Sequence, residues 1–422
     1  MRILFLNIPA AGHVNPTLPI VSALADRGHD VYYANAADFR ETVEEAGAQF
    51  LPYAPDSTAD IRGDPGNFAR LGAKLHRYAL RIVRRHLEEY RRLAPDLVVF
   101  DSLAVWGPVI ADILGTERVG SFSVFVYDRS RSPMRPAFAL RLAGMIIASL
   151  PQVALALAAR RRLHRRSSAV PALMDTFTCT GRENIVCTIR ELQPAGETFG
   201  PSFHFVGPLL ERREPSGSLG GTFGELLGKL RDKGAKENVK KDVKEEPPLV
   251  YVALGTLYSR TGHAPRRLNG FYQRCIDALA DIARPVVISA GDWAASLRLP
   301  AEAEHIIIRE SVPQLAVLSH AAVFITHGGM NSVHEALYYG IPMLLVPQQA
   351  EQEAVAAQVV SRGAGISLGR GPYTAAALRR AVKELLRDHS YAQAAATLSR
   401  SMRSSGGTAA AVEVLLRAAA RH

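Results

Sequence analysis

Short apolar runs alternate with amphipathic stretches along nearly the whole chain, and the spacing inside each stretch says which element it makes. In the first half, 3–6, 31–34, 50–51, 97–100, 118–120, 184–188 and 203–206 predict strands, and 18–26, 38–46, 68–93 and 105–114 predict helices. Residues 121–136 read as loop and 137–165 as apolar helices. The alternation resumes with strands at 249–253, 286–289 and 306–308 and helices at 266–282 and 314–319. A last set follows: a strand at 322–325, a Gly-Gly turn, a helix at 331–339, a strand at 342–346, a loop ending in a carboxylate and an amide, and helices from 374 onward. Strands joined through helices pair in parallel, and a parallel sheet is covered on both faces, so its strands are apolar throughout. The expected fold is α/β, with two facing doubly wound, Rossmann-like domains.

Between 208 and 248 the pattern lapses into a glycine-rich and then a highly charged stretch, the composition of a solvated linker with one short helix at most. The expected organisation is a first domain at 1–207, the linker 208–248, a second domain at 249–400, and a helix at 401–422 packing back on the first domain. A chain of 422 residues suits two such domains, each large enough for its own core.

The net charge of +10 raises nucleic acid as a partner. The basic residues cluster at 77–92 and 160–166 without interleaved aromatic stacking pairs and without a zinc or RNA-binding motif, so nucleic acid is not expected. An anionic lipid surface or an anionic substrate accounts for the charge equally well. Cys179, Cys187 and Cys275 form no Cys-x-x-Cys pair, which excludes a disulfide framework and a zinc site and fits a reducing, cytoplasmic setting. Residues 142–159 carry no charge, yet Pro151 falls in their middle and arginines flank them. Two buried or interfacial helices are expected there in place of a membrane span, with peripheral membrane contact through 137–166.

The polar residues of 324–352 carry the first chemistry. A strand feeding a helix through glycines aims backbone N–H groups and the positive helix end at one spot, which suits a phosphate, with His327 placed to add a donor. An ordinary βαβ turn needs glycine for its backbone angles alone. Thr326, His327, Asn331, Ser332 and Glu335 all fall on the turn or the first helical turns, where a core-filling helix needs none of them. The run Thr326-His-Gly-Gly-x-Asn-Ser-x-x-Glu-Ala, then Gly340-Ile-Pro-Met, then Pro347-x-x-x-Glu-Gln, resembles the nucleotide-sugar signature of family 1 glycosyltransferases, the UDP-glycosyltransferase and macrolide glycosyltransferase group.

The resemblance extends to the first turn. A dinucleotide fold needs Gly-x-Gly-x-x-Gly after its first strand. In its place stand Asn7 to Pro16, with Gly12-His-Val-Asn-Pro-x-Leu similar to the family motif whose histidine is the catalytic base. His13 is otherwise read as a cap of the helix start. An imidazole suits the task, because its pKa lies near working pH and the attacking hydroxyl must lose a proton. Asp101, followed by Trp106 at the fifth position, resembles the family's strand-end aspartate; it either orients and stabilises the imidazolium or caps the next helix, and the two roles are compatible.

What the resemblance implies is a GT-B fold and an inverting, nucleotide-sugar-dependent transferase of natural products. The donor residues implied are Thr256, Val312, Gln314, His327, Gly328, Gly329, Asn331, Ser332, Glu335, Glu351 and Gln352. Glu335 is assigned to the ribose, Glu351 and Gln352 to the sugar, Thr256 to the phosphates, and the backbone of Val312 and Gln314 to the base edge. No Asp-x-Asp cluster separates the motifs, so no metal and no cofactor is expected, the UDP- or dTDP-sugar being a co-substrate. Ser311 stands where the family stacks an aromatic ring on the base, which leaves UDP against dTDP open. The resemblance covers about 1–126 and 249–369. Phe138, Leu142, Met145, Ile146, Leu150 and Val153 make the expected acceptor a lipophilic alcohol, such as a macrolide, polyketide, flavonoid, terpenoid or lipid, although the same residues suit a plain core. Two other functions stand beside this one: a peptidoglycan-type lipid-linked GlcNAc transferase, whose first turn is richer in glycine, and a non-catalytic binder of nucleotide sugar or lipid.

Overall fold

A computed structural model of the chain describes residues 1–55, 67–127, 136–210, 248–255, 268 and 270–421. Most of the charged linker (211–247), the end of the 121–136 loop, Thr256 and the expected start of the helix at 266 lie outside the described residues. The chain divides into two compact units, Met1–Glu211 with Met402–His422, and Arg212–Ser401. Each is α/β and doubly wound.

The first unit carries seven parallel strands, β1 Arg2–Leu6, β2 Asp30–Asn35, β3 Gln49–Pro52, β4 Leu97–Asp101, β5 Glu117–Phe122, β6 Glu183–Val186 and β7 Phe203–Phe205, in the order β3-β2-β1-β4-β5-β6-β7. Strand order reverses between β1 and β4, where Leu6 lies opposite Phe100. One face of the sheet is covered by the helix Leu18–Ala25 and the C-terminal helix Gly407–Ala419, whose Val412, Leu415 and Ala418 are buried with Phe5 and Val99. The other face takes Phe68–Leu93, Trp106–Leu114 and Leu150–His164.

Helix Phe68–Leu93 follows from its spacing: Leu75, Tyr78, Ala79, Ile82, Val83, Leu87 and Tyr90 recur every three or four residues and are buried. Asn67 caps its start, accepting from Arg70 N at 3.0 Å. Ala94, left-handed at φ 43°, and the proline after it end it.

The second unit carries six parallel strands, β8 Leu249–Ala253, β9 Val286–Ser289, β10 Ile306–Arg309, β11 Ala321–Thr326, β12 Met343–Leu345 and β13 Gly365–Ser367, in the order β10-β9-β8-β11-β12-β13. Here the reversal falls between β8 and β11, with Ala253 opposite Thr326. Helices Phe271–Leu279 and Ala375–Arg387 bury their apolar stripes against one face.

Three details differ from the sequence expectation. β5 runs on to Phe122, taking in Ser121 and Phe122 from the expected loop, because pairing with β4 and β6 overrides their weak local pattern. β13, three residues with a glycine, is too short for a period-two signal. Glu351 and Gln352 do not end a loop; they stand in the first turn of the helix Ala350–Ser361, where Gln349 and Gln352 form a capping box.

Candidate functional site

In an open parallel sheet, ligands bind at the carboxyl ends of the strands where the order reverses. In the first unit that point lies between β1 and β4. Asp101 is the last residue of β4 and is 1% exposed, and His13 sits on the short helix Ala11–Val14 that follows β1. His13 Nδ1 lies 2.7 Å from Asp101 Oδ2. A carboxylate only accepts, so Nδ1 carries the proton and the lone pair falls on Nε2. The other carboxylate oxygen accepts from Leu103 N at 2.8 Å, which fixes the rotation of the group. The following helix begins at Trp106 with Val105 at its N-cap, so Asp101 closes a turn and does not cap that helix.

Two features of this site escaped the sequence reading. Ser123 Oγ lies 3.1 Å from His13 Nδ1. Its signal was available: a polar residue just past the carboxyl end of β5, the strand beside β4. Behind the histidine, Asn7 Nδ2 donates to His13 O at 3.1 Å and to the Tyr33 hydroxyl at 2.7 Å. Thr17 Oγ1 donates to Val14 O at 2.7 Å, so the Tyr33 hydroxyl, 2.8 Å away, is the donor in its bond to Thr17. Asn7, Tyr33 and Thr17 are all buried, and burial pushes the Tyr33 hydroxyl pKa upward, keeping it a neutral donor. The chain of bonds holds the backbone carbonyls of His13 and Val14.

The second unit repeats the arrangement between β8 and β11. The His327 ring, 8% exposed, packs against two glycines. A Cβ on Gly255, which has φ +72°, would stand 2.8 Å from His327 Cε1, and one on Gly329 would stand 2.4 Å from Nε2. Only glycine fits either position, and the ring ties the two turns together. Burial pushes the His327 pKa down to about 4, so the ring is neutral and can donate through one nitrogen only. Thr326 Oγ1 accepts from Gly328 N at 3.4 Å. The helix Met330–Tyr338 starts at Gly329 with no side-chain cap, so its first N–H groups face the turn.

On that helix Ser332 is buried and Asn331 half-buried. Gln314, which opens the helix Gln314–Leu318, donates from Nε2 to Glu335 Oε2 at 2.5 Å and to Ser332 Oγ at 3.4 Å. Its Oε1 accepts from the Tyr251 hydroxyl at 3.2 Å. Burial raises the Glu335 pKa, an effect the Gln314 bond partly opposes. Val312 is half-buried and Ser311 exposed.

The carbonyl of Gln352 lies 3.4 Å from where a Cβ on Gly328 would stand, which brings this helix start beside the β11 turn. Its side-chain Oε1 accepts from Gln348 N at 2.8 Å and Gln349 N at 3.2 Å, and Glu351 is exposed beside it. Thr256 lies outside the described residues. Among the described residues no group of three His, Cys, Asp or Glu side chains is arranged to hold a metal ion.

Comparison with known proteins places these two sites in context. A sequence model of the UDP-glucoronosyl and UDP-glucosyl transferase family matches residues 233–405. The NDP-glycosyltransferase YjiC of Bacillus subtilis (strain 168) is 30% identical over 432 residues, covering 99% of this chain and 98% of the relative. Among solved structures, the glycotransferase of kitacinnamycin superposes with a TM-score of 0.76 at 27% identity, covering 99% of this chain and 98% of that one. CalG4, the calicheamicin glycosyltransferase, gives 0.76 at 26% identity, covering 100% and 98%.

Proposed function

The chain belongs to the family of UDP-glucoronosyl and UDP-glucosyl transferases, and on that footing we propose that it is an inverting enzyme acting on a hydroxyl of a lipophilic natural product. It is a glycosyltransferase that takes its sugar from a nucleotide sugar. The observation that carries the mechanistic reading is the 2.7 Å bond between His13 Nδ1 and Asp101 Oδ2 at the carboxyl edge of the first sheet.

With its proton held on Nδ1, His13 presents Nε2 as the base. Nε2 takes the acceptor's hydroxyl proton as that oxygen attacks the anomeric carbon from the face opposite the nucleotide. Asp101 holds the tautomer and stabilises the imidazolium that forms. The departing diphosphate gains negative charge, and the N–H groups at Gly328, Gly329 and the start of the helix Met330–Tyr338, with Asn331, Ser332 and the neutral His327 ring, meet it. Thr256, outside the described residues, is assigned a hydroxyl contact to the same phosphates.

Glu335 accepts from the ribose hydroxyls. A carboxylate has acceptor positions beyond the one Gln314 uses, so the Gln314 bond orients it without spending it. The backbone of Val312 and Gln314 reads the base edge. Glu351 and the amide of Gln352 hold the sugar hydroxyls, the Gln352 side chain being fixed through its oxygen.

Leu142, Met145, Ile146 and Val153, half-buried on the apolar helices Pro136–Ile147 and Leu150–His164, favour an apolar acceptor. The similar solved structures are transferases named for kitacinnamycin and calicheamicin, which points to the same chemical class. The test is to incubate the protein with a panel of UDP- and dTDP-sugars and a library of hydrophobic alcohols, then read products by mass. A hexose or deoxyhexose increment on a library member supports the proposal. Donor binding with no increment across the library overturns it in favour of a silent binder.

A further inference from the structure

One surface of the first unit takes no part in this reading. The helix Pro136–Ile147 ends, and Leu150–His164 begins, with large apolar side chains in solvent: Ile147 is 67% exposed, Leu150 55%, Leu155 54% and Leu157 41%. Soluble surfaces carry such residues singly; four within eleven positions form a patch.

The second helix is organised along its length. Ala156, Ala159 and Leu163 turn inward and are buried. On the outward stripe, Leu150, Ala154, Leu157 and Ala158 occupy the first turns, and Arg161 and Arg165 continue the same stripe beyond them, with Arg162 and Arg166 at its edge, all exposed. The outer face is therefore apolar at one end and cationic at the other. Its surroundings have the same sign. No Asp or Glu occurs between Asp128 and Asp175, nor between Asp64 and Glu88 along the helix Phe68–Leu93 packed beneath, which contributes exposed Arg84 and Arg85. At the end of the second helix the carboxylate of Asp112 accepts from Ser167 Oγ at 2.6 Å and Ser168 N at 3.0 Å.

We propose that this face docks on an anionic lipid bilayer. Leu155, Leu157 and Ile147 seat in the headgroup–acyl boundary and Arg161, Arg162, Arg165 and Arg166 lie against the phosphates, so the protein rests on the membrane without crossing it. The charge decides the occupant: a second copy of the chain would bring its own arginines against these, whereas an anionic surface neutralises them. Among the described residues no helix is long and apolar enough to span a membrane, so the contact is peripheral.

The experiment is co-sedimentation of the full chain with vesicles of phosphatidylcholine alone and with vesicles of equal parts phosphatidylcholine and phosphatidylglycerol, across a salt series. Binding is expected to the mixed vesicles and to weaken as salt rises. Arg161→Ala with Arg162→Ala should weaken it about 25-fold, some fivefold per arginine. Leu155→Glu with Leu157→Glu should abolish it. All four side chains face solvent, so folding is retained, and thermal melting matching the parent confirms that for each variant. The proposal is overturned by failure to bind mixed vesicles at low salt, by equal binding to both vesicle types, or by binding that the glutamate pair leaves intact. A concentration-dependent dimer that the glutamate pair dissolves would equally overturn it.

Discussion

His13 and Asp101 meet at 2.7 Å across 88 residues of sequence because β1 and β4 are neighbours at the one place where the strand order of their sheet reverses. Their partnership predicts how variants combine. His13→Ala should lower kcat by about 10²–10⁴ while leaving the donor dissociation constant unchanged. Asp101→Asn should also lower kcat, because an amide does not stabilise the imidazolium. The double variant should fall little below His13→Ala alone, since the aspartate acts through the histidine. Steady-state kinetics with calorimetric donor titration check this; additive losses would separate the two residues.

Asn7, Tyr33 and Thr17 hold the backbone carbonyls of His13 and Val14. Tyr33→Phe removes the hydroxyl that accepts from Asn7 and donates to Thr17, leaving two buried polar groups short of a partner. The expected stability loss is about 1–3 kcal/mol. A severalfold drop in kcat with KM for the donor unchanged is the signature of a displaced base. Thermal melting and kinetics together test it; a stability loss with kcat intact would limit the network to folding.

Much of this site was legible in the chain, for a physical reason. Buried parallel strands are apolar end to end, so β1, β4, β8 and β11 stand out, and the residue that breaks each run falls at the carboxyl edge where ligands bind. Asp101 is such a residue, and His13 and His327 follow Asn7 and Thr326, which break the β1 and β11 runs. Ser123 and Tyr33 were not found. Ser123 follows a strand whose last residues looked like loop, and Tyr33 sits inside β2, where an aromatic residue is expected and its hydroxyl partners, 16 and 26 residues away, leave no periodic trace. Gln352 was expected at the end of a loop, because polar residues opening a weakly patterned helix resemble a loop until the capping box is seen.

The His327 ring wedged between two turns gives a steric test. Gly329→Ala brings a methyl to 2.4 Å from Nε2, and Gly255→Ala adds a left-handed alanine at 2.8 Å from Cε1. Each is expected to destabilise the second unit by about 1–3 kcal/mol and to weaken UDP binding at least tenfold by shifting the ring and the first N–H groups of the helix. Alanine at Gly369, which also has positive φ but nothing near its Cβ, should spare UDP binding. UDP titrations across the three variants decide whether the wedge or the backbone angle matters.

Acid should weaken the same unit. His327 and His334 are buried, and burial pushes both down to about 4 from the ordinary 6.5. Between those values the unfolded chain binds protons that the folded chain refuses, so the stability present above pH 6.5 falls as pH drops toward 4. Each histidine contributes at most about 1.4 kcal/mol per pH unit. Thermal midpoints measured from neutral to mildly acidic pH should decline, and His334→Gln should flatten the decline even though it lowers the midpoint at neutral pH.

Glu335 should act with opposite sign on stability and on binding. Burial raises its pKa above the ordinary 4.5, so its neutral form favours folding at low pH and its ionised form opposes folding once pH rises past the raised value. Glu335→Gln removes that burden while keeping a partner for Gln314, and the thermal midpoint at neutral pH should rise, with the gain vanishing below pH 4.5. In the proposed donor site the ribose loses a charged acceptor in the same exchange. A hydrogen bond to a charged group is worth about 1.5–3 kcal/mol, so UDP affinity should fall roughly 10- to 150-fold. A variant that is more stable and binds UDP poorly marks the carboxylate as held there for the ligand. A variant that binds UDP as well as the parent would take Glu335 out of the donor site and leave it a half-buried acid with no ligand to meet.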